Sequence, residues 1–163
     1  MSDTESALPG SVITEKRRVV VSIQNILDRK GIEVVTIRPT ETVKIAADRM
    51  REHGIAALVV KAGEAITGLI SERDIVHSIS RHGEGVLSTA VSDVQSQVVV
   101  TVGPGDTFKR AMSLMTNHRV RHLLVVANGK LVGIVSIGDV VKHRLEDLET
   151  ESNVLRDAYI AAH

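Results

Sequence analysis

The chain has 163 residues and a mass of 17.6 kDa, enough for one ordinary domain or two small ones, and its 43% hydrophobic content allows a buried core. Twenty basic and twenty acidic side chains cancel, which argues against a nucleic-acid coat or a membrane-surface binder and leaves room only for a local basic cleft. Cysteine is absent, so disulfides, thiolate metal sites and cysteine nucleophiles are excluded.

Phe108 and Tyr159 are the only aromatic residues, so the core must be aliphatic and stacking platforms for single-stranded nucleic acid are excluded. No apolar run approaches the roughly 20 residues that span a bilayer. The polar, acidic start has neither the basic n-region nor the apolar run of a signal peptide, and a cytoplasmic location is the expectation.

In chain order, 1–13 read as a flexible N-terminus. From Thr14 to Lys30, Val19, Val20, Ile23, Ile26 and Leu27 recur at helical spacing, and Gly31 ends the helix. Ile32–Ile37 is a β-like run that stops at Pro39. Val43, Ala46, Ala47 and Met50 mark a helix face closed by Gly54. Ala57–Lys61 and Ala65–Ile70 read as strands about a turn at Gly63 and Glu64, and Ser71 with Asp74 forms a capping box for a helix carrying Ile75, Val76 and Ile79. Val98–Val102 is a further strand. Asp106 is placed to cap a helix with Phe108, Ala111, Met112 and Met115 inward. Leu123–Ala127 and Leu131–Val135 form a hairpin around Asn128-Gly129. Ser136 and Asp139 make a second capping box before a helix bearing Val140, Val141 and Leu145. A last helix is expected over Glu146–Ala162, with Leu148, Leu155, Ala158 and Tyr159 on its buried side.

The two halves are copies. Shifted by 65 residues, Thr36–Asp74 lies on Thr101–Asp139 without a gap and with thirteen of 39 positions identical, including Pro39/Pro104, Thr42/Thr107, Gly68/Gly133, Ser71/Ser136 and Asp74/Asp139. The fold class is α/β, with a βαββα unit used twice and the copies packed as a pseudo-twofold pair that shares a core. The organisation expected is 14–85 as the first unit with its leading helix, 86–146 as the second, and 147–163 as a C-terminal helix.

Gly68-Leu69-Ile70-Ser71-Glu72-Arg73-Asp74 and Gly133-Ile134-Val135-Ser136-Ile137-Gly138-Asp139, with the Pro-x-x-Thr starts at 39–42 and 104–107, resemble the tandem CBS-domain family, or Bateman module. Ile26–Gly31 and the runs 68–76, 115–126 and 133–142 are similar to the small stand-alone bacterial members. The resemblance implies a non-catalytic regulatory module that binds an adenosine-containing ligand such as AMP, ADP, ATP, NAD or S-adenosylmethionine between its units and signals to a partner protein. It also implies a homodimer.

Carried over by position, the resemblance gives Asp139 the ribose hydroxyls, with Ser136, Gly138 and Arg121 near the phosphate and Lys30, Val34, Val35 and Ile55 as the base wall. The pseudo-symmetric site takes Asp74, Ser71 and Arg73, with Gln95, Val99, Val100 and Val120 as its wall. The chemistry suits these roles. A carboxylate accepts two charge-assisted bonds from a cis-diol, and an arginine fork meets phosphate bidentately. Because Ala56 stands where the second unit has Arg121, and Arg73 where it has Gly138, the Asp139 site is expected to bind the phosphorylated ligand more tightly.

Other readings compete. Asp74 and Asp139 also serve as capping acids, and a structural adaptor with empty clefts is the alternative function. An enzyme is disfavoured because no nucleophile elbow or phosphate-binding glycine loop occurs. His118 and His122 stand four apart, but a helix end between them argues against a shared metal.

Overall fold

The computed structural model describes residues 21–161. Helix α1 covers Ile23–Lys30, β1 Thr36–Ile37, α2 Val43–His53, β2 Ala57–Ala62, β3 Ala65–Ser71 and α3 Glu72–His82. Short 3-10 turns at Glu84–Ser88 and Val91–Asp93 lead to β4 (Thr101–Val102), α4 (Phe108–His118), β5 (His122–Ala127), β6 (Lys130–Ser136) and α5 (Ile137–Ala161). The β1-α2-β2-β3-α3 order recurs as β4-α4-β5-β6-α5, and each copy forms a three-stranded sheet, β1-β2-β3 or β4-β5-β6. In each, the first two strands are parallel, joined through the helix, and the last two form an antiparallel hairpin. The second hairpin turns on Asn128 (φ 51°) and Gly129 (φ 73°), a left-handed pair that matches strand twist.

Each unit has an aliphatic core between sheet and helices. Ile37, Val43, Ala46, Met50, Leu58, Val60, Ile70, Ile75 and Val91 pack in the first. The second combines Val102, Phe108, Ala111, Met115, Leu123, Val125, Val135 and Val140 with Ile23, Ile26 and Leu27 of α1. The leading helix thus packs on the second unit, while Val91, well ahead of the second sheet, packs on the first. Matching backbone bonds hold both crossings. Ile23 and Gln24 N–H groups donate to Asp106 and Pro104 carbonyls (2.9 and 2.8 Å), and those of Val91 and Ser92 donate to Glu41 and Pro39 (2.8 and 3.0 Å).

Several local expectations need correction. Helix α1 begins at Ile23, because Ser22 is extended, caps the helix and bridges to Thr107; Thr14 to Val20 lies outside the described residues. The runs ending in β1 and β4 pair over only two residues each. Helix α4 is capped by Thr107, whose Oγ1 accepts from the Arg110 N–H at 3.2 Å, as Thr42 caps α2; Asp106 instead accepts from the Gly103 N–H at 2.8 Å. Met112 is 44% exposed, since the buried stripe of α4 runs through Phe108, Ala111 and Met115. No break separates a last helix at Glu146. Helix α5 is continuous over 25 residues, and Leu148, Leu155, Ala158 and Tyr159 are exposed rather than buried.

Candidate functional site

Both capping boxes form. Asp74 Oδ2 accepts from the Ser71 backbone N–H (2.8 Å) and hydroxyl (2.6 Å), and Asp139 Oδ2 accepts the same pair from Ser136 (2.8 and 2.9 Å). These bonds fix each carboxylate at the start of the helix that leaves the hairpin. Beyond that the two differ.

Asp139 is latched. Lys30, at the end of α1, donates to Asp139 Oδ2 at 2.7 Å and to the Ile134 carbonyl at 3.3 Å. Its neighbour Arg29 pairs with Glu146, so α1 is tied to α5 twice. Burial pushes the Asp139 carboxyl up, but the hydrogen bonds from Lys30 and Ser136 and the lysine charge together outweigh it and hold the group below the usual carboxylate value. The helix starts themselves do not differ: the Ile137 N–H donates to the Arg121 carbonyl (2.9 Å) as that of Glu72 does to Ala56 (3.0 Å), and the Asp139 and Asp74 N–H groups donate to the Ser136 and Ser71 hydroxyls.

Asp74 carries no such latch: among the described residues, no cation lies within ion-pair distance of it. The segment ahead of the second unit, held by the bonds that mirror those of α1, has no lysine or arginine from Val91 to Val100. Beside Asp74 opens a cavity of about 440 Å³, lined by Ala56, Leu69, Ser71, Glu72, Arg73, Asp74 and His77 of the first unit. Ser96, Val98, Val99, Val100, His118, Arg119, Val120, Arg121, His122 and Leu124 close it from the other side. That volume lies within the range of small-molecule sites.

The sequence-derived residues therefore distribute unevenly. Ser71, Arg73, Asp74, Val99, Val100 and Val120 meet around this one cavity, joined by Arg121, which the family resemblance assigns to the Asp139 side. Gln95 does not line the cavity; its side-chain amide donates to the Thr67 carbonyl (3.1 Å) and lies against Gly68. Ser136, Asp139 and Lys30 come together, whereas Val34, Val35, Ile55 and Gly138 line no described cavity with them; Val35 and Ile55 pack on the first core. His77, three residues after Asp74 on α3, was not singled out from the sequence, although that spacing puts both on one face.

The chemistry of the cavity is mixed in a useful way. Asp74 is an acceptor pair at one side, and Arg73, Arg119 and Arg121 supply cationic donors. Val98, Val99, Val100, Val120 and Leu124 offer apolar surface. His122 lines the cavity and interacts electrostatically with both acids. Burial lowers its pKa, and the Lys30 charge lowers it further against the opposing pull of Asp139 and Asp74, so the ring is neutral at pH 7. Among the described residues, no group of histidines and acids is placed to hold a metal, and no helix is long and apolar enough to cross a membrane.

Comparison with known proteins agrees with this architecture. The CBS domain model matches residues 23–81 and 91–146, and the chain belongs to the CBS-domain family, a regulatory and non-catalytic fold. More particularly, it is a tandem CBS-domain protein related to small bacterial and archaeal CBS-pair proteins. It is 40% identical over 125 residues, 74% of its own length, to the mitochondrial CBS domain-containing protein CBSX3 of Arabidopsis thaliana, of which the match covers 60%. The crystal structure of the CBS-domain protein ATU1752 from Agrobacterium tumefaciens superposes with a TM-score of 0.74 at 39% identity, covering 76% of this chain and 99% of that one. A more distant pair, that of protein MJ0100 in complex with 5'-methylthioadenosine and S-adenosyl-L-methionine, shares the fold at 17% identity and a TM-score of 0.69, over 78% and 98% of the two chains.

Proposed function

We propose that this chain binds an adenosine-containing ligand of the AMP, ADP, ATP, NAD or S-adenosylmethionine class in the cleft beside Asp74, and passes its occupancy to a partner protein. The observation that carries this reading is the 440 Å³ cavity between the units, which combines an unlatched carboxylate, three arginines and a valine wall. Asp74 accepts from the ribose diol. Arg73, Arg119 and Arg121 face the phosphate, and Val99, Val100 and Val120 take the base. The adenosyl compounds bound by the MJ0100 pair support the ligand class.

This reading reverses the order of the clefts expected from the repeat alignment. Arg121 and Arg73 serve the Asp74 cleft, and the Asp139 carboxylate is engaged by Lys30. Occupancy acts through the packing of one unit on the other, and it shifts output only in so far as the ligand favours one packing. A homodimer is part of the proposal, since Val76 and Ile79 of α3 and Ile137 of α5 are exposed on helices that follow the two acids. Thermal shift and calorimetry of the nucleotide-stripped chain against the five ligands test the reading. Saturable binding of at least one is expected, and no binding by any would favour an adaptor with empty clefts.

A further inference from the structure

Helix α5 outruns the family match, which ends at residue 146, and this extension carries a pattern the ligand cleft does not need. Val141, Leu145, Leu148, Ser152, Leu155 and Tyr159 follow one another at alternating steps of four and three. Steps of four and three are the a/d spacing of a heptad, and over these residues they hold to one narrow stripe of the helix. The seam is exposed throughout, from 45% at Val141 and 44% at Leu148 to 68% at Leu155. It lies roughly 130° round the helix from Val140 and His143, which face the second core, at about 100° per residue.

The flanking charges identify what covers it. With Leu145, Ser152 and Tyr159 at a and Val141, Leu148 and Leu155 at d, the e positions are Lys142, Glu149 and Arg156, and the g positions include Arg144 and Glu151. In a parallel, in-register pair, each g residue meets the e residue five places on in the other strand. Arg144 then meets Glu149 of the second copy, and Glu151 meets Arg156, so both charged pairs attract. An antiparallel pair with the same apolar layers sets Glu149 against Glu149, Glu151 against Glu151, and Lys142 against Arg156, all of like sign. Ser152 at a central a position further favours a register in which it meets itself.

We infer that the exposed seam of α5 is a parallel, in-register coiled coil with a second copy of this chain, joining two CBS pairs at their C-terminal ends. The contact runs about 27 Å at 1.5 Å per residue, and anchoring by Val140 and His143 supplies the helix nucleus that so short a coil lacks in isolation.

The absence of native cysteine makes the test clean. The full chain carrying S152C is oxidised under mild conditions and run on a non-reducing gel, with light scattering on the unmodified chain. A cross-linked dimer is expected, lost when L148E and L155E are added. Cross-linking should also fall with R156E, which sets Glu151 against glutamate, and return with E151R/R156E. Circular dichroism establishes that each variant is folded. A folded S152C chain that stays monomeric on oxidation overturns the inference, as does a dimer by light scattering without cross-linking, or cross-linking that ignores L148E/L155E.

Discussion

A single lysine separates the two acids. Asp74 and Asp139 occupy the same place in the repeat, cap the same kind of helix and accept the same serine bonds, yet only Asp139 has Lys30 against it. The pair is about one-third exposed, so its contribution is that of a partly screened ion pair. Lys30→Met should cost about 1 kcal/mol by denaturant titration at neutral pH. The pH dependence has a definite sign. Asp139 titrates below its unfolded value of 3.8, so the unfolded chain binds more protons between the two values. The latch is fully present above that value and is lost as pH falls through the lowered one. The acid limb of a stability profile should therefore be shallower in the Lys30→Met variant, and identical limbs would argue against the latch. Both acids and both serines were legible from the repeat. The latch was not: the resemblance sets Lys30 on the Asp139 side as base wall, and its ion pair with the carboxylate follows only from the crossing of α1 onto the other unit.

At the scale of elements, close approach decides the cleft wall. Leu69 and Ser96 exchange backbone hydrogen bonds (3.0 and 2.9 Å), bringing the segment ahead of the second unit onto β3. A Cβ on Gly68 would stand 2.6 Å from the Ser96 carbonyl oxygen, and neither backbone can yield without breaking that pairing. Gly68→Ala should destabilise the fold by roughly 1–3 kcal/mol, the usual cost of overpacking, and weaken ligand binding, since Ser96 lines the cavity. Stability and affinity equal to the parent chain would contradict the account. Gly133 is crowded instead by the Leu27 side chain, which can move, so the same change there should cost less. Elements with their own local signals were legible: the capped helices, the Asn128-Gly129 hairpin and the apolar strands. The edge strands β1 and β4 looked longer because Val35 and Val100, just before them, each accept one bond from the neighbouring strand (Val59 at 3.3 Å, Leu124 at 3.1 Å) without extending the ladder. The exposed seam of α5 looked like a buried face because an apolar stripe has the same pattern whichever partner covers it.

For the whole molecule, the duplication accounts for the architecture, and the departures from it distinguish the two clefts. A 65-residue repeat implies two matching clefts, but α1 is a full helix ending in two cations, whereas the segment from Val91 is a short turn followed by extended chain without one. Pseudo-symmetry therefore holds for the sheets and for the backbone bonds of the crossings, and fails in the chain that follows each crossing, which no alignment of the repeats displays. One cleft is latched and the other open, with Arg73 and Arg121 facing the open one. The measurement that tests this most directly is calorimetric titration of D74A and D139A beside the unmodified chain, using the nucleotide that binds best. The account predicts one site per chain, lost in D74A and retained in D139A. Binding that survives D74A and disappears in D139A would contradict it.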